Sequence, residues 1–397
     1  MPDAREHDIV VFGATGFTGA LTAEYLARHA SGAIRGALAG RDRSKLQGVR
    51  DRLTQINAAC AELPLLQADV NDFAALRRLA ESTRVLITTV GPYIKYGEAV
   101  VAACAAAGTD YVDLTGEPEF VDRMWLRYHE QAQQTGARLV HCCGFDSVPH
   151  DLGVLFTVNQ LPEGVPIAVK GFVRTNGTFS GGTYQTAITA FGRLRQAANA
   201  ASERRRQERR PTDRRVKGEV GLPRREPVAG GWIVPMPTID PQVVLRSARA
   251  LARYGPDFSY GHYYVSKRAV TLASLGVGAG AVIALAQLPP TRNLLLRLKP
   301  GGEGPSPDER ERAFFRVRFL GEGGGRRVVT EVSGGDPGYG ETAKMLAEAA
   351  LSLAEDELPE LSGQLTPAVA LGEHLQRRLQ AAGIGFRVVQ GASAPAT

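Results

Sequence analysis

Apolar and polar positions in the first 150 residues switch repeatedly between a period near two and a period near 3.6. The run Asp8-Ile9-Val10-Val11-Phe12 is β-branched and apolar behind one acid, the pattern of a strand buried on both faces, and the Ala-rich stretch 20–29 has helical spacing. The pair recurs along the chain. Residues 34–39 predict a strand and 44–60 a helix; 64–68 a short strand, then a helix capped by Asp72 and ending at 81. Residues 84–90, 111–114 and 138–141 predict three more strands, with helices over 98–107 and 118–134 between them. Such alternation predicts an α/β fold with a Rossmann-type, doubly wound parallel sheet over residues 1–150.

From residue 167 the pattern changes. Residues 169–174, 259–266, 314–320 and 326–332 alternate as half-buried strands, the last two joined by a glycine-rich hairpin at 321–325. Residues 151–335 therefore predict a second α+β domain of mostly antiparallel strands, inserted after the sixth Rossmann strand. Residues 336–397 predict helices over 341–354 and 367–381 that pack back on the core, a turn through Gly363, a strand at 386–389 and a disordered tail.

Two stretches interrupt this plan. Residues 203–226 hold ten Lys or Arg against five Asp or Glu and almost nothing apolar, which predicts a solvated arm, without a partner or docking an acidic carrier domain. Residues 269–288 are uncharged and long enough to span a bilayer. A span would put strands of one sheet on opposite sides of the membrane, so a buried or surface-lying helix is expected. Residues 294–299, alternating apolar and basic, suit either a membrane surface or an interior or dimer contact.

Composition narrows the class. The chain has 397 residues, 44% of them hydrophobic, and a formal charge of +6 with pI near 9.2. Much of the excess charge lies in the 203–226 stretch, and no nucleic-acid module accompanies it. Cys60, Cys104, Cys142 and Cys143 lack zinc-ligand spacing, so no metal is expected and reduced thiols fit best. The N-terminus is charged from Asp3 to Asp8 without an apolar signal core, which predicts a cytoplasmic protein, at most peripheral on the inner face of the plasma membrane.

Candidate chemistry gathers where predicted strands end. Gly13-Ala14-Thr15-Gly16-Phe17-Thr18-Gly19 joins strand to helix: Gly13 permits the reversal, Gly16 lets N–H groups reach a pyrophosphate, and Gly19 permits close packing. Ala14 stands where glycine is usual. After the second strand, Gly40-Arg41 leaves room for a 2′-phosphate and supplies a guanidinium for it, so NADP(H) is expected; Asp42 and Ser44 compete as helix caps. Asp69 and Val70 border the adenine position, and Val90, Gly91 and Pro92 the nicotinamide ribose. Tyr93 follows at the mouth of that site and is the first catalytic candidate. Asp146 and His150, four apart, share a helix face if Ser147 caps it, and Asp113 and Glu117 form another acid pair.

These residues carry a resemblance. The stretches Val11–Gly19, Ala39-Gly40-Arg41, Val90-Gly91-Pro92-Tyr93, Tyr111–Glu117, Gly144-Phe145-Asp146-Ser147-Val148-Pro149 and Pro337-Gly338-Tyr339-Gly340-Glu341-Thr342 resemble saccharopine-dehydrogenase-like oxidoreductases, and more closely their trans-acting enoyl reductase branch. The resemblance implies NADPH-dependent reduction of an acyl double bond in polyketide-type lipid synthesis, supplied in trans to a synthase and acting on a lipidic or carrier-bound substrate. A saccharopine dehydrogenase-like amino-acid oxidoreductase is the second reading, although no convergent arginine set for several carboxylates can be assigned. An NADPH-binding protein without hydride transfer is the third.

Overall fold

The computed structural model describes residues 5–177, 181–209, 211–268, 278, 280–298 and 305–393. Strand β1 (His7–Phe12) is buried at every position, as its apolar run demands. It lies within a parallel sheet in the order β14-β6-β5-β4-β1-β2-β3, formed with β2 (Gly36–Gly40), β3 (Leu65–Gln67), β4 (Thr83–Thr88), β5 (Asp110–Asp113), β6 (Arg138–Val140) and β14 (Gly363–Leu365). Helices α1 (Phe17–His29), α2 (Arg43–Ile56), α3 (Phe73–Glu81), α4 (Tyr93–Tyr96), α5 (Glu98–Ala107) and α6 (Pro118–Thr135) connect its first six strands. Asp42 caps α2 by accepting from Lys45 N at 3.0 Å, and Asp72 caps α3 through Ala75 N at 3.0 Å.

The seventh strand differs from the sequence expectation of a turn. Residues 363–365 pair in parallel with β6, so the chain leaves the first sheet after β6, builds a second one, and returns. Three residues are too few to display a period.

The second sheet runs β15-β13-β12-β7-β11-β10-β9, with β8 on β11. Its strands are β7 (Ile167–Thr175), β8 (Arg215–Glu219), β9 (Arg224–Glu226), β10 (Gly231–Pro235), β11 (Asp257–Ser266), β12 (Phe315–Gly323), β13 (Arg326–Gly334) and β15 (Gly385–Ser393). Pairing is antiparallel except where β11 meets β7 and β8. Helix α7 (Val148–Val158) crosses between the sheets: a Cβ at Gly153 would stand 2.4 Å from the Phe319 ring, so only glycine lets the helix lie this close to β12. One apolar core accordingly runs from Ile9 and Val112 through Val148 and Leu152 to Phe319 and Val332. The helix Gly340–Glu355 packs across β1, β4 and β5 beside α1.

Residues 203–226 are solvated in part, with Arg205, Arg206, Arg215, Lys217 and Arg225 exposed, but they form ordered elements and not a free arm. Helix α9 (Leu194–Gln207) carries Arg204 into the interior, where it pairs with Asp122 of α6 at 2.5 Å and with Glu208. Arg214 donates to the carbonyls of Ala248, Arg249 and Leu251 at 3.2, 2.6 and 2.7 Å. The remainder of the stretch supplies β8 and β9. Arg204 ties α9 to α6, and Arg214 ties the chain before β8 to the end of the helix Asp240–Ala250, uses that charge density alone does not reveal.

Of the 269–288 segment, residues 269–277 and 279 lie outside the described residues; 280–286 are helical and lead into the helix Pro289–Leu298. Among the described residues no helix is long and apolar enough to cross a membrane. The tail beyond residue 393 also lies outside them. The four cysteines are free and buried.

At the amino ends of the strands Asp8 gathers β1, β2 and β4. Its carboxylate accepts from Arg35 N at 3.0 Å, Arg35 Nε at 3.0 Å, Arg35 Nη2 at 2.9 Å and Arg84 Nη1 at 3.3 Å. These donors, the Arg35 side chain foremost, hold its pKa down at about 2. A depressed carboxyl stabilises the fold above its unfolded pKa, and that stabilisation is lost as pH falls through about 2. Asp8→Asn is expected to cost about 1–2 kcal/mol in urea unfolding at pH 7, after discounting for the half-exposed Arg35. The gap from the native protein should close toward pH 2.

Candidate active site and dinucleotide crevice

The loops that follow the parallel strands meet along one edge. Gly13 has φ +89°, and a Cβ there would stand 2.8 Å from both Thr89 Oγ1 and Val90 Cγ2. A Cβ at Gly19 would stand 2.2 Å from Gly13 O. Glycine alone closes this turn against the loop after β4. Gly16 sits at the N-cap of α1 without a side-chain cap, so the first N–H groups of the helix remain available, and Thr15 and Gly16 are exposed. The cradle fits an anionic pyrophosphate. Ala14 departs from the glycine pattern because it is fully buried, its methyl packed in the core and away from the crevice.

The other expected cofactor positions line the same edge. Arg41 is exposed at the end of β2, and its neighbour Asp42 caps α2, which leaves the guanidinium without an ion pair or hydrogen bond among the described residues. Asp69 closes its own turn, accepting from Asn71 N at 2.9 Å and Asn71 Nδ2 at 2.8 Å, while Val70 stays partly exposed. Val90 and Pro92 are partly exposed and Gly91 exposed. Thr18 is partly exposed one residue beyond Phe17.

Tyr93 does not stand at the mouth of the site. It is 4% exposed, its hydroxyl donates to Thr88 O at 3.0 Å and accepts from Leu114 N at 3.4 Å, and burial raises its pKa far above the ordinary value. The apolar body and single satisfied hydroxyl make it a packing residue. Asp113 and Glu117 are likewise committed. Asp113 accepts from Thr115 N at 3.0 Å, Cys142 N at 3.0 Å and the Tyr111 hydroxyl at 2.8 Å, with His141 Nδ1 2.6 Å away. Glu117 accepts from Tyr93 N and Ile94 N, each at 2.8 Å. Both carboxylates hold loop backbone in place.

The loop after β6 carries the remaining chemistry. Ser147 N donates to Cys142 O at 2.9 Å and Val148 N to Gly144 O at 2.9 Å, a tight turn into α7. Ser147 occupies the N-cap, yet its hydroxyl makes no capping bond. Phe145 N donates at 3.0 Å to Thr342 Oγ1, which in turn donates to Pro337 O at 2.7 Å, so the 144–149 and 337–342 motifs meet. Asp146 is partly exposed beside Gly116, where a Cβ would lie 3.3 Å from its Oδ2. Behind it His150 is fully buried, Nδ1 being 3.1 Å from both Phe145 O and Asp240 Oδ1. Asp240 Oδ2 lies 3.3 Å from His262 Nε2, and Thr238 donates to the same oxygen. His262 Nδ1 is 2.9 Å from the Tyr260 hydroxyl.

This buried chain sets the charges. Burial opposes charge on His150, but Asp240 and Asp146 outweigh it and hold the pKa of His150 above its ordinary value. Burial also opposes charge on Asp240, and the two histidines overcome it, so Asp240 is ionised. Burial keeps His262 neutral. Burial first, and then the charge on Asp240, push Asp146 up to about 7 against the pull of His150. The donor atoms of His150, Asp240 and His262 also lie within 4.8 Å of one another, although no metal was expected from the sequence. Asp240 and His262 escaped the sequence reading because Asp240 begins α10 (Asp240–Ala250), where an acid reads as a helix-start residue, and His262 sits in an aromatic strand.

Comparison with known proteins agrees with this geometry. The family model of the saccharopine dehydrogenase NADP binding domain matches residues 9–140. A Mycobacterium tuberculosis (strain ATCC 25618 / H37Rv) protein provisionally named a trans-acting enoyl reductase is 39% identical, over 98% of this chain and 99% of its own. The trans-acting enoyl reductase of Mycobacterium ulcerans (strain Agy99) is 36% identical over 96% and 97%. Among solved structures, apo saccharopine dehydrogenase (L-Glu forming) from Saccharomyces cerevisiae shares the fold: TM-score 0.55 at 12% identity, covering 96% of this chain and 100% of that one.

Replacing Arg41 tests the cofactor side of the crevice. A charge-assisted contact to a 2′-phosphate is worth about 1.5–3 kcal/mol, so Arg41→Ala should lower the preference for NADPH over NADH by roughly tenfold to a hundredfold. Equal losses for the two cofactors in a binding titration would remove Arg41 from that role.

Proposed function

We propose, for a chain that belongs to the trans-acting enoyl reductase family, that this NADP-dependent oxidoreductase reduces the carbon–carbon double bond of an α,β-unsaturated acyl group made by a polyketide-type synthase. The observation that carries the reading is that the glycine cradle and Asp146, a partly exposed carboxyl raised to about 7, lie on loops that follow β1 and β6 of one parallel sheet. NADPH, when bound, supplies a hydride to the β-carbon. The protein must then steady the charge that develops on the acyl carbonyl oxygen and deliver a proton to the α-carbon.

Asp146 is the proton donor in this reading. A carboxyl titrating near 7 is protonated in about half the molecules at neutral pH, whereas an ordinary one would be almost wholly ionised. Burial, and then the charge on Asp240 behind it, keep the proton there against the pull of His150. The buried Tyr93 hydroxyl, already bonded at both lone pair and proton, has no share in the step.

The acyl group reaches the site attached to a synthase carrier or from a lipid phase. Leu288, Leu294 and Leu298 are 59%, 62% and 69% exposed beside Arg292 and Arg297, which supports a peripheral contact of the helix Pro289–Leu298 with a lipidic partner.

NADPH oxidation with a carrier-linked enoyl substrate, followed across pH, tests the assignment. The rate should fall as pH rises through about 7, where Asp146 loses its proton. Asp146→Asn should lower turnover by about a hundredfold or more with NADPH affinity intact, and should abolish that pH limb. Failure of the native protein to oxidise NADPH with any enoyl thioester would overturn the activity. A variant that keeps both rate and limb would remove Asp146 from it.

A further inference from the structure

Phe17, the first residue of α1, is approached by the segment that precedes β12. Its ring meets Tyr339 edge-on, with centroids 4.7 Å apart at 78°, and the Arg310 guanidinium lies over it, 5.8 Å from the ring centre. Arg310 belongs to the short helix Pro307–Arg312, whose start is fixed by a capping box between Ser306 and Glu309. A cation held over an aromatic face is a placed group, not a wandering one.

Three of the acids in this neighbourhood are engaged elsewhere. Glu309 accepts from Ser306 N and Oγ at 2.8 and 2.9 Å. Asp336 accepts from Gly338 N at 3.1 Å and Gly340 N at 3.0 Å, and Glu341 pairs with Lys344 at 2.8 Å. Among the described residues the Arg310 guanidinium has no ion pair or hydrogen bond, and its Nε is buried without a partner. Leaving a buried guanidinium nitrogen unpaired is costly, and the Phe17 ring compensates only in part. Phe17 directly follows the exposed Thr15 and Gly16 and opens α1, whose first N–H groups form the cradle for a dianionic pyrophosphate.

We propose that Arg310 is a further cofactor-binding residue: it reaches over Phe17 to the pyrophosphate, so that a bound dinucleotide is held by the glycine turn of the first sheet and by a cation supplied from the second part of the chain. The inference rests on the NADP reading of the crevice. It differs from the role of Arg41 in one measurable respect. The 2′-phosphate is present only in NADPH, whereas the pyrophosphate is common to NADPH and NADH.

Dissociation constants for NADPH, NADH and 2′-AMP, the last lacking a pyrophosphate, separate the roles. Arg310→Ala and Arg310→Gln should weaken NADPH and NADH by the same factor, roughly tenfold to a hundredfold for a lost charge-assisted contact. Binding of 2′-AMP should be unchanged, and Arg310→Lys should recover part of the loss. Thermal unfolding without cofactor identifies a variant that has failed to fold, in which case Arg310→Lys and Arg310→Gln carry the comparison. Unaltered dinucleotide affinity in a folded variant, or an equal loss for 2′-AMP, overturns the Arg310 contact. A native protein that binds neither dinucleotide overturns the cofactor reading itself, a separate result.

Discussion

At Gly19 there is no room for a side chain, because the carbonyl of Gly13 stands 2.2 Å from where a Cβ would be. That contact lets α1 start directly against the end of β1, and the turn between them then presses on Thr89 and Val90 of the loop after β4. Two loops far apart in sequence are thereby fixed side by side at the carboxyl edge of the sheet. The open N–H groups of α1 and the exposed Gly91 face a common space as a result. The neighbouring loops are tied by buried carboxylates instead of glycines. Asp113 holds the chain after β6 by accepting from Cys142 N, and Glu117 holds α4 by accepting from two of its N–H groups.

Charge in the interior follows from the second sheet's position behind that edge. Helix α7 leaves the first sheet and lies on the second, carrying His150 to a point where Asp240 and the neutral His262 also converge. An ionised Asp240 in an apolar surrounding is tolerable because His150 and His262 both point at it. Burial first, and then the same negative charge, make the ionised form of Asp146 unfavourable. A carboxyl able to hold a proton near neutrality thus depends in part on Asp240 of α10, which is remote from it in the chain. Tyr93, by contrast, is buried with a strongly raised pKa, and its hydroxyl is spent on Thr88 O despite its place after the Gly91-Pro92 turn.

Local signals carried most of the first sheet. The glycine turn, the caps at Asp42 and Asp72 and the apolar strand runs are each readable within a few residues, and each appears where its physics places it. Long-range signals did not carry. The strand at 363–365 is too short for periodicity and is defined by its pairing with β6. Arg204 and Arg214 looked solvated because their partners, Asp122 and the carbonyls at the end of α10, lie in other elements. Asp240 and His262 read as a helix-start acid and a strand residue until the fold brings them to His150. In the candidate site, therefore, the glycine turn was legible and the buried cluster only half so: Asp146 and His150 stood out by spacing, while Asp240 and His262 did not.

Hydride transfer to the acyl chain is the central claim, and isotope transfer tests it most directly. With NADPH deuterated at the reactive C4 position and a carrier-linked enoyl thioester, the saturated product should carry one deuterium at the β-carbon. With unlabelled NADPH in deuterated water, it should carry one at the α-carbon. A product that gains no deuterium from the labelled cofactor, or an acyl chain recovered still unsaturated, would contradict the account.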